Sequence, residues 1–351
     1  MLKIKTQHTP AHSARSGHAN SANGAINFEE HLSWIRKHHA QVARIIPDVR
    51  ALGSAELAAK TRALKACSEF AESGRGLQWA TTTDQRLQAR KIGATTLLGT
   101  LEEVAERSDR PSDDAYYLLD VFGGAGFIAQ FAQDVLGFKG TVITSDPSAI
   151  MVRLALQKKL PALWQRAQDL FMTGDNSVDS VLFAYGTHHV PPNERQQCFN
   201  EASRVLKPNG VLVFHDFEDG GSTARWFRDV VDVYTKMGHK HEHFKADDVR
   251  DYFARAGFEI EKITTMDDSF QFTAPTREEA RFLAVGFMGG AYGLEKLNRS
   301  EHADDLLWEK INSIFSVKEI VDEGESGGEV TIIIHRSALL GVGRKPGLDK
   351  S

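Results

Sequence analysis

The sequence predicts an α/β protein built on a doubly wound, mostly parallel sheet, and two observations predict it. From Tyr116 onward, short apolar runs alternate with amphipathic segments of helical period, which is the pattern of a parallel sheet covered by helices on both faces. The first apolar run ends in Asp120 and is followed by a glycine-rich turn and another helix. Glycines at such a turn let the backbone approach a ligand at the strand ends.

The N-terminal part of the chain is predicted to be helical. Apolar residues recur at helical spacing over 28–45, a second helix is expected over 54–70, and a third ends near 106. We expect residues 1–25, which lack an apolar core, to form a disordered tail. The polar, proline-bearing stretch 107–114 is interpreted as a linker, so residues 26–110 are expected to form an N-terminal helical cap.

The core of the sheet is expected within residues 111–265. Apolar runs predict strands over 116–121, 141–145, 179–184, 211–217 and 258–265. Helices are predicted over 126–136, 148–158, 193–206, 223–235 and 246–256, and a Pro-Asn-Gly turn at 208–210. In the first of these helices, the residues expected to face the sheet are Phe127, Ile128, Phe131 and Val135.

The C-terminal part is predicted to return to the sheet after a helical insertion. Helices are expected over 276–294 and 303–321, so residues 266–325 form an insertion between the last two strands. Residues 326–351 carry the last core strand, over 330–334, and a C-terminal tail. Because these insertions flank the strand ends where a ligand binds, we expect them to close over the cleft.

Composition narrows the classes to which the chain can belong. The 351 residues carry a net charge of -5, whereas a general affinity for nucleic acid or anionic membranes usually requires a basic excess. No apolar run of the sequence approaches the ~20 residues that a membrane-spanning helix needs. The cysteines, Cys67 and Cys198, are far apart in the sequence and are interpreted as free thiols, which indicates a cytoplasmic protein.

The glycine-rich turn is compatible with two kinds of ligand. Gly124-x-Gly126-x-x-Ala129 satisfies the dinucleotide-binding pattern of a dehydrogenase, with Asp146 at the distance expected of a ribose-binding acid. Asp120 disfavours a diphosphate at this turn, because like charges in a partly buried site repel each other. A ligand with an ammonium group and no phosphate, such as S-adenosylmethionine, would be attracted by the same carboxylate.

Five sequence blocks occur in an order that resembles the class I S-adenosylmethionine-dependent methyltransferases. The first block reads LLDVFGGAGF, and the five cover 118–127, 142–146, 169–181, 187–190 and 204–212. The resemblance covers 116–217, with weaker agreement through 258, and departs from the family at Phe122, where the family usually has glycine. It implies a seven-stranded sheet, S-adenosylmethionine as cofactor and S-adenosylhomocysteine as product.

The resemblance implies roles for residues near the strand ends. Asp120 and the neighbouring glycines are expected at the amino-acid end of the cofactor. Asp146 is expected to bind both ribose hydroxyls; the alternative is a helix N-cap. Gln168 and Asp169 stand where the family contacts adenine, or else in a solvated loop. The cofactor-binding candidates are Asp120, Phe122, Gly123, Gly124, Gly126, Asp146, Pro147, Gln168, Asp169 and Tyr185.

An acceptor that carries a proton needs a base, and the candidate bases are His188, His189, His215 and Asp216. Of these, His215, Asp216 and His189 are the predicted catalytic residues. The sequence His239-x-His241-x-His243 would place three imidazoles on one face of a strand, where they could bind a metal. We interpret it as a polar loop, so no metal site is predicted.

The sequence therefore predicts methyl transfer to a small organic acceptor, as in natural-product biosynthesis, by a chain that can form a homodimer. An RNA or protein methyltransferase is disfavoured, because Tyr185-Gly186-Thr187-His188 replaces the Asn-Pro-Pro-Tyr type of sequence and the chain lacks a basic strip. A regulatory protein that binds S-adenosylmethionine without catalysis is the other alternative. The acceptor atom stays open.

Overall fold

The computed structural model describes residues 26–66, 88–106, 115–236, 238–297, 302–322 and 328–347. The predicted tail at 1–25, the linker at 107–114 and Cys67 lie outside these ranges. Cys198 is buried and has a free thiol. None of the helices in the described ranges combines the length and the apolar character needed to cross a membrane.

Three α-helices precede the first strand of the described chain, and they are α1 Phe28–His38, α2 Ser54–Ala66 and α3 Lys91–Glu106. The predicted helix over 28–45 ends at His38, and short 3₁₀ turns follow it. Helix α1 begins where the Asn27 side chain accepts a hydrogen bond from Glu29 N at 3.0 Å. The ring of Phe28 then stacks on Trp164 at 5.1 Å, which fixes α1 against the edge of the sheet.

Ten strands follow in the described part of the chain. They are β1 Tyr117–Asp120, β2 Thr141–Asp146, β3 Ala162–Trp164, β4 Val178–Ala184, β5 Leu206–Asp216, β6 Glu259–Asp267, β7 Phe270–Ala274, β8 Ser316–Val321, β9 Val330–His335 and β10 Ser337–Arg344. Seven of them form one sheet in the order β3-β2-β1-β4-β5-β10-β6, in which only β10 is antiparallel to its neighbours. This arrangement confirms the predicted fold class.

Six α-helices lie in the connections between the parallel strands of the described chain. They are α4 Phe127–Phe131, α5 Ala149–Gln157, α6 Pro192–Val205, α7 Ser222–Trp226, α8 Asp232–Tyr234 and α9 Ala246–Arg255. Four of them, α4, α5, α6 and α9, pack against the sheet. Helix α4 continues as a π turn over Ala132–Leu136, whose wider i→i+5 spacing changes the direction of the following side chains. Val135 is consequently 47% exposed, and the prediction that it faces the sheet was wrong.

The insertion between β6 and β10 was predicted to be helical, and that prediction was incomplete. It contains helices α10 Arg277–Tyr292 and α11 Ala303–Ile314, together with a three-stranded antiparallel sheet in the order β7-β9-β8. The predicted helix over 303–321 was wrong beyond Ile314, where the backbone becomes extended and enters β8. No glycine or proline marks this change, but β-branched residues that favour strands follow it.

The predicted last core strand was also assigned to the wrong segment. Strand β9 belongs to the small sheet, and β10 is the strand that pairs with β5 and β6. Glycines are depleted in strands, and β10 contains Gly341 and Gly343. A Cβ would lie 2.7 Å from Phe253 at Gly341 and 2.4 Å from it at Gly343. The phenyl ring of α9 therefore occupies the space that side chains would need.

The two ends of the insertion are joined to each other. Asp268, directly after β6, donates its backbone N–H to the carbonyl of Arg336 at 3.1 Å, and Arg336 precedes β10. Arg336 Nε donates to the carbonyl of Asp268 at 2.7 Å, and the buried guanidinium also pairs with the Asp268 carboxylate. These bonds join the two ends of the insertion beside the main sheet, and further contacts of β7 with α3 and of α11 with α7 hold it in place.

Gly126 is expected to be essential for the turn after β1. Its φ is +81°, and a Cβ would lie 2.4 Å from Leu160 Cδ1, so Gly126→Ala should lower the free energy of unfolding by about 1–3 kcal/mol. Gly99→Ala is the matched control, because nothing lies within 4 Å of its Cβ position. Urea denaturation measures both changes. Equal losses in the two variants would contradict this account of the turn.

Candidate active site

A cavity of about 520 Å³ lies at the carboxyl ends of β1, β2 and β4, within the size range of small-molecule sites. The glycine turn, the end of β2 and the segment after β4 form its base. Its other walls come from outside the parallel core, namely from α2, Arg90 and the end of α10, where Ala291 and Tyr292 line it. The N-terminal helices and the insertion therefore both contribute to the enclosure.

The glycine turn brings backbone N–H groups to the cavity. Gly123 N donates to the carbonyl of Ser145 at 3.1 Å, and Gly124 N donates to Asp146 Oδ2 at 3.1 Å. A Cβ at Gly123 would lie 2.6 Å from Asp120 Oδ2. The turn thus requires glycine at this position because its backbone packs directly against a carboxylate.

Asp120 supplies a carboxyl group with an unsatisfied oxygen at this end of the cavity. Its side chain is 1% exposed, and no residue in the described ranges makes a hydrogen bond to Oδ2. Burial, together with the nearby charge of Asp146, raises the pKa of Asp120 to about 8. A cationic group placed against this carboxylate would favour its ionised form, so the residue fits a ligand that carries an ammonium.

Asp146 is oriented toward the same turn. Its Oδ1 accepts from Ser148 N at 2.7 Å, while burial raises the pKa of the carboxyl to about 7 against the effect of its two hydrogen bonds. The N-cap of α5 is Ser148, whose Oγ accepts from Met151 N at 3.4 Å. Asp146 is therefore not the N-cap. Pro147, which follows it, lines the cavity and accepts a hydrogen bond from Trp164 Nε1 at 2.8 Å.

The two adenine-contact candidates are placed differently. Gln168 lines the cavity, and its Nε2 donates to Glu194 Oε2 at 2.7 Å. Asp169 is not among the lining residues in the described ranges. Its carboxylate accepts hydrogen bonds of 3.0 and 2.9 Å from Lys60 Nζ, which ties α2 to the loop.

Phe122 and Tyr185 form the middle of the cavity wall. Phe122, where the family usually has glycine, packs edgewise on Phe183 at 5.5 Å and also lines the cavity. A Cβ at Gly186 would lie 2.5 Å from Phe122, so that glycine makes room for the ring. Tyr185 has a φ of 63° and donates its hydroxyl to Asp268 Oδ1 at 2.7 Å. Burial and the adjacent Asp268 raise the pKa of Tyr185.

Two of the three predicted catalytic residues lie behind the wall rather than on it. His215 is fully buried, does not line the cavity in the described structure, and lies with Nε2 3.5 Å from Asp268 Oδ2. Asp216 is equally buried and accepts hydrogen bonds from His188 N at 2.9 Å, His188 Nδ1 at 2.7 Å and Phe217 N at 2.8 Å. Although burial opposes it, contact with His188 lowers the pKa of Asp216 to about 2.

His188, which was not among the predicted catalytic residues, lines the cavity and is hydrogen-bonded to Asp216 behind it. Burial lowers the pKa of His188 to about 4, so the imidazole is neutral at pH 7. Because the Asp216 carboxylate accepts, Nδ1 carries the hydrogen and Nε2 has the lone pair. No hydrogen-bond partner for this Nε2 occurs among the described residues. The adjacency of β4 and β5 was the signal for the pair, since residues after neighbouring parallel strands meet at one edge.

The remaining histidines converge on the same wall. His189, the third predicted catalytic residue, lines the cavity, and so does His239 from the loop that was interpreted as merely polar. Ligand nitrogens of His188, His189 and His239 lie within 4.8 Å of one another. The wall residues that were not predicted as site residues include Arg90, Phe217, Phe227 and Tyr292.

The stability of the ligand-free protein should depend on Asp120. The pKa of this group is about 8 in the folded state against 3.8 ordinarily. Its stabilising contribution is therefore complete below pH 4 and is lost as the pH rises through 8. Asp120→Asn should flatten the fall of Tm between pH 4 and 8, as measured by thermal unfolding. Asp134→Asn, at an exposed position, should follow the wild type; parallel curves for all three proteins would rule out the buried charge as the cause.

Comparison with known proteins identifies the segment that builds this edge of the sheet. Residues 119–214 match a family model described as a methyltransferase domain. An uncharacterized methyltransferase of Oceanobacillus iheyensis is 32% identical over 102 residues, which are 28% of this chain and 46% of the relative. A 2-phytyl-1,4-naphtoquinone methyltransferase of Synechocystis is 30% identical over 122 residues, 31% of this chain and 50% of the relative.

A third relative is a ubiquinone/menaquinone biosynthesis C-methyltransferase of Stenotrophomonas maltophilia. It is 29% identical over 140 residues, which are 38% of this chain and 52% of the relative. The chain thus spans about half the length of these relatives. The family match extends from β1 into β5 and includes Asp120, the glycine turn and Asp146. Residues 119–214 accordingly belong to the methyltransferase-domain family, which agrees with the resemblance of the five sequence blocks to class I methyltransferases.

Proposed function

We propose that this protein transfers a methyl group from S-adenosylmethionine to a small aromatic acceptor of the hydroquinone or phenol type. The observation that carries the proposal is the pair of carboxyl groups at the ends of β1 and β2, of which Asp120 is buried and Asp146 is partly buried. Asp120 and Asp146 both line the cavity, and the backbone of Gly123 and Gly124 lies between them. This end of the cavity fits a ligand with one cationic and one hydroxyl-bearing part.

The cofactor would occupy the half of the cavity nearest the glycine turn. Asp120 Oδ2 lacks a hydrogen-bond partner in the described structure, so the amino-acid ammonium would complete it. Asp146 accepts only one hydrogen bond on each oxygen, which leaves lone pairs for ribose hydroxyls. Pro147, Met151 and Gln168 surround the adjoining space, where the adenine would lie.

The acceptor would occupy the other half, beyond Tyr185. Phe217, Phe227 and Tyr292 supply aromatic walls there, and His188 and His189 supply polar atoms. A few convergent polar groups within an apolar lining are typical of small-molecule sites. Planar aromatic rings suit these walls, because offset or edgewise packing of rings is favourable.

Methyl transfer requires the protein mainly to align the methyl donor with the acceptor. When bound, S-adenosylmethionine supplies an electrophilic methyl group on a positively charged sulfur. The cavity holds donor and acceptor together, which converts a bimolecular reaction into an effectively unimolecular one. Residues of α2 and α10 help to exclude water, and the histidine side of the cavity faces the acceptor proton that must leave. Neither His215 nor Asp216 lines the cavity among the described residues, so we propose that they position neighbours.

The named relatives support the choice of acceptor class. Two of them are described by their quinone substrates or pathways, and one as a C-methyltransferase. The reduced hydroquinone is the nucleophilic form of such a ring, since its hydroxyl oxygens raise the electron density of the ring carbons. A hydroquinone can therefore be methylated on oxygen or carbon, and both outcomes agree with the proposal.

Asp146→Ala should weaken binding of S-adenosylmethionine. Loss of hydrogen bonds to a charged group corresponds to about 1–3 kcal/mol, or roughly 5- to 150-fold in Kd. Isothermal titration calorimetry measures the change, with the exposed Asp134→Asn as the matched control. An unchanged Kd in Asp146→Ala would show that the ribose is bound elsewhere. Tighter binding of NAD than of S-adenosylmethionine by the wild type would overturn the proposal that S-adenosylmethionine is the cofactor.

Turnover tests the proposed activity directly. The full chain is incubated with S-adenosylmethionine and a panel of alkylated benzo- and naphthohydroquinones, phenols and catechols, and release of S-adenosylhomocysteine is measured by mass spectrometry. We expect release with at least one aromatic acceptor and a methylated product of matching mass. Cofactor binding without turnover on the panel would favour a regulatory protein. Methylation of RNA or protein substrates in place of the panel would favour the macromolecule alternative.

A further inference from the structure

We propose that His188, His189 and His239 form a binding site for a divalent transition-metal ion of the Zn²⁺ class on the acceptor side of the cavity. One ligand nitrogen from each residue lies within 4.8 Å of the others. In a tetrahedral site with metal–nitrogen bonds of ~2.1 Å, the nitrogens are about 3.4 Å apart. Small side-chain rotations would therefore close the cluster around an ion. All three residues line the cavity.

The three histidines come from two segments that other contacts hold together. His188 and His189 lie in the 3₁₀ turn after β4, whereas His239 lies in the loop before α9. Arg195 joins these segments, because its guanidinium donates to the carbonyls of Val190 and Glu242 at 3.0 and 2.6 Å. The separation of the imidazoles is thus set by a hydrogen-bonded bridge behind them.

The ring of His239 is also held in place. Phe227 stacks on it with ring centroids 4.0 Å apart and an angle of 16° between the planes. The backbone N–H of His239 donates to Asp232 Oδ1 at 3.0 Å. Preorganised side chains lose less freedom when they bind an ion, so these contacts favour a binding site over a chance gathering of histidines.

His188 has the environment of a metal ligand. Its Nδ1 donates to Asp216 Oδ1 at 2.7 Å, which directs the lone pair of Nε2 away from the carboxylate. Metal-binding histidines almost always donate their other nitrogen to a carboxylate, a carbonyl or water. Asp216 is fully buried and belongs to the main sheet, so it would fix the orientation of the ring.

The donor set indicates the class of ion. Three imidazoles suit Zn²⁺, Fe²⁺, Co²⁺ or Cu²⁺, whereas Mg²⁺ and Ca²⁺ prefer oxygen ligands. Three histidines also leave a coordination position open, and here that position would face the cavity. An acceptor hydroxyl oxygen bound there would release its proton to water at a lower pH than in solution. The site would in this way serve the acceptor and not the cofactor.

Metal binding can be measured without the methyl-transfer reaction. The untagged full chain is treated with a chelator, dialysed and titrated with Co²⁺ and Zn²⁺ at pH 7.5. We expect one tight equivalent and the visible absorption of four-coordinate Co²⁺. His188→Gln, His189→Gln and His239→Gln should each weaken this equivalent at least 10-fold, and Asp216→Asn by about 10–100-fold. His38→Gln, at an exposed position on α1, is the matched control and should bind as the wild type does.

The variants also separate this site from other histidines. The sequence contains His8, His12 and His18, and binding to them would be unchanged in all the cavity variants. Unchanged affinity in the cavity variants, or no tight equivalent in the wild type, would overturn the proposal. His189→Gln keeps the test decisive if a buried variant fails to fold, because the His189 side chain is only partly buried. Titration of each sample with S-adenosylmethionine is independent, so loss of metal and loss of cofactor binding are distinguishable.

Discussion

Two carboxyl groups, the buried Asp120 and the partly buried Asp146, lie close together at the carboxyl ends of β1 and β2, and the site depends on their proximity. Asp120 pairs in register with Thr144, so Asp146 ends the neighbouring strand only two residues further on. Asp146 accepts hydrogen bonds from two backbone N–H groups, whereas one oxygen of Asp120 has no partner among the described residues. Buried polar atoms without partners are rare in folded proteins. Their retention here is explained if a cationic ligand completes the group, and the glycine turn leaves the space for it.

The order of the strands links this pair to the acceptor side. Strand β4 lies beside β1, and β5 lies beside β4, so their carboxyl ends follow one another along a single edge. Tyr185, directly after β4, lines the cavity, with its backbone in the left-handed region and its hydroxyl bound to Asp268. Asp268, the first residue of the insertion after β6, therefore fixes the position of this wall residue. The carboxylate of Asp268 also lies 3.5 Å from His215 Nε2, so the start of the insertion contributes to the burial of that histidine.

Much of the parallel core could be predicted because its signals are local. Strands such as β1 and β4 are continuous apolar runs, and the cofactor candidates lie in short contiguous motifs. The predictions that were wrong or incomplete concern residues whose structure depends on partners far away in the sequence. Strand β10 contains glycines because Phe253 fills their space, and β8 is a strand because it pairs with β9. The pairing of His188 with Asp216 required the strand order, and the approach of His239 required a loop whose position the sequence does not encode locally.

The joined ends of the insertion have a consequence for how such a chain can change. Because Asp268 and Arg336 bind each other through backbone and side chain, the polypeptide leaves and re-enters the main sheet at nearly the same place. The register of β6 and β10 is set by their mutual pairing, so we expect a change in the length of the segment between Asp268 and Arg336 to leave that register unchanged. Asp268 and Arg336 are thus the positions at which a different segment could be grafted, and such a graft would also have to replace the contacts of β7 with α3 and of α11 with α7.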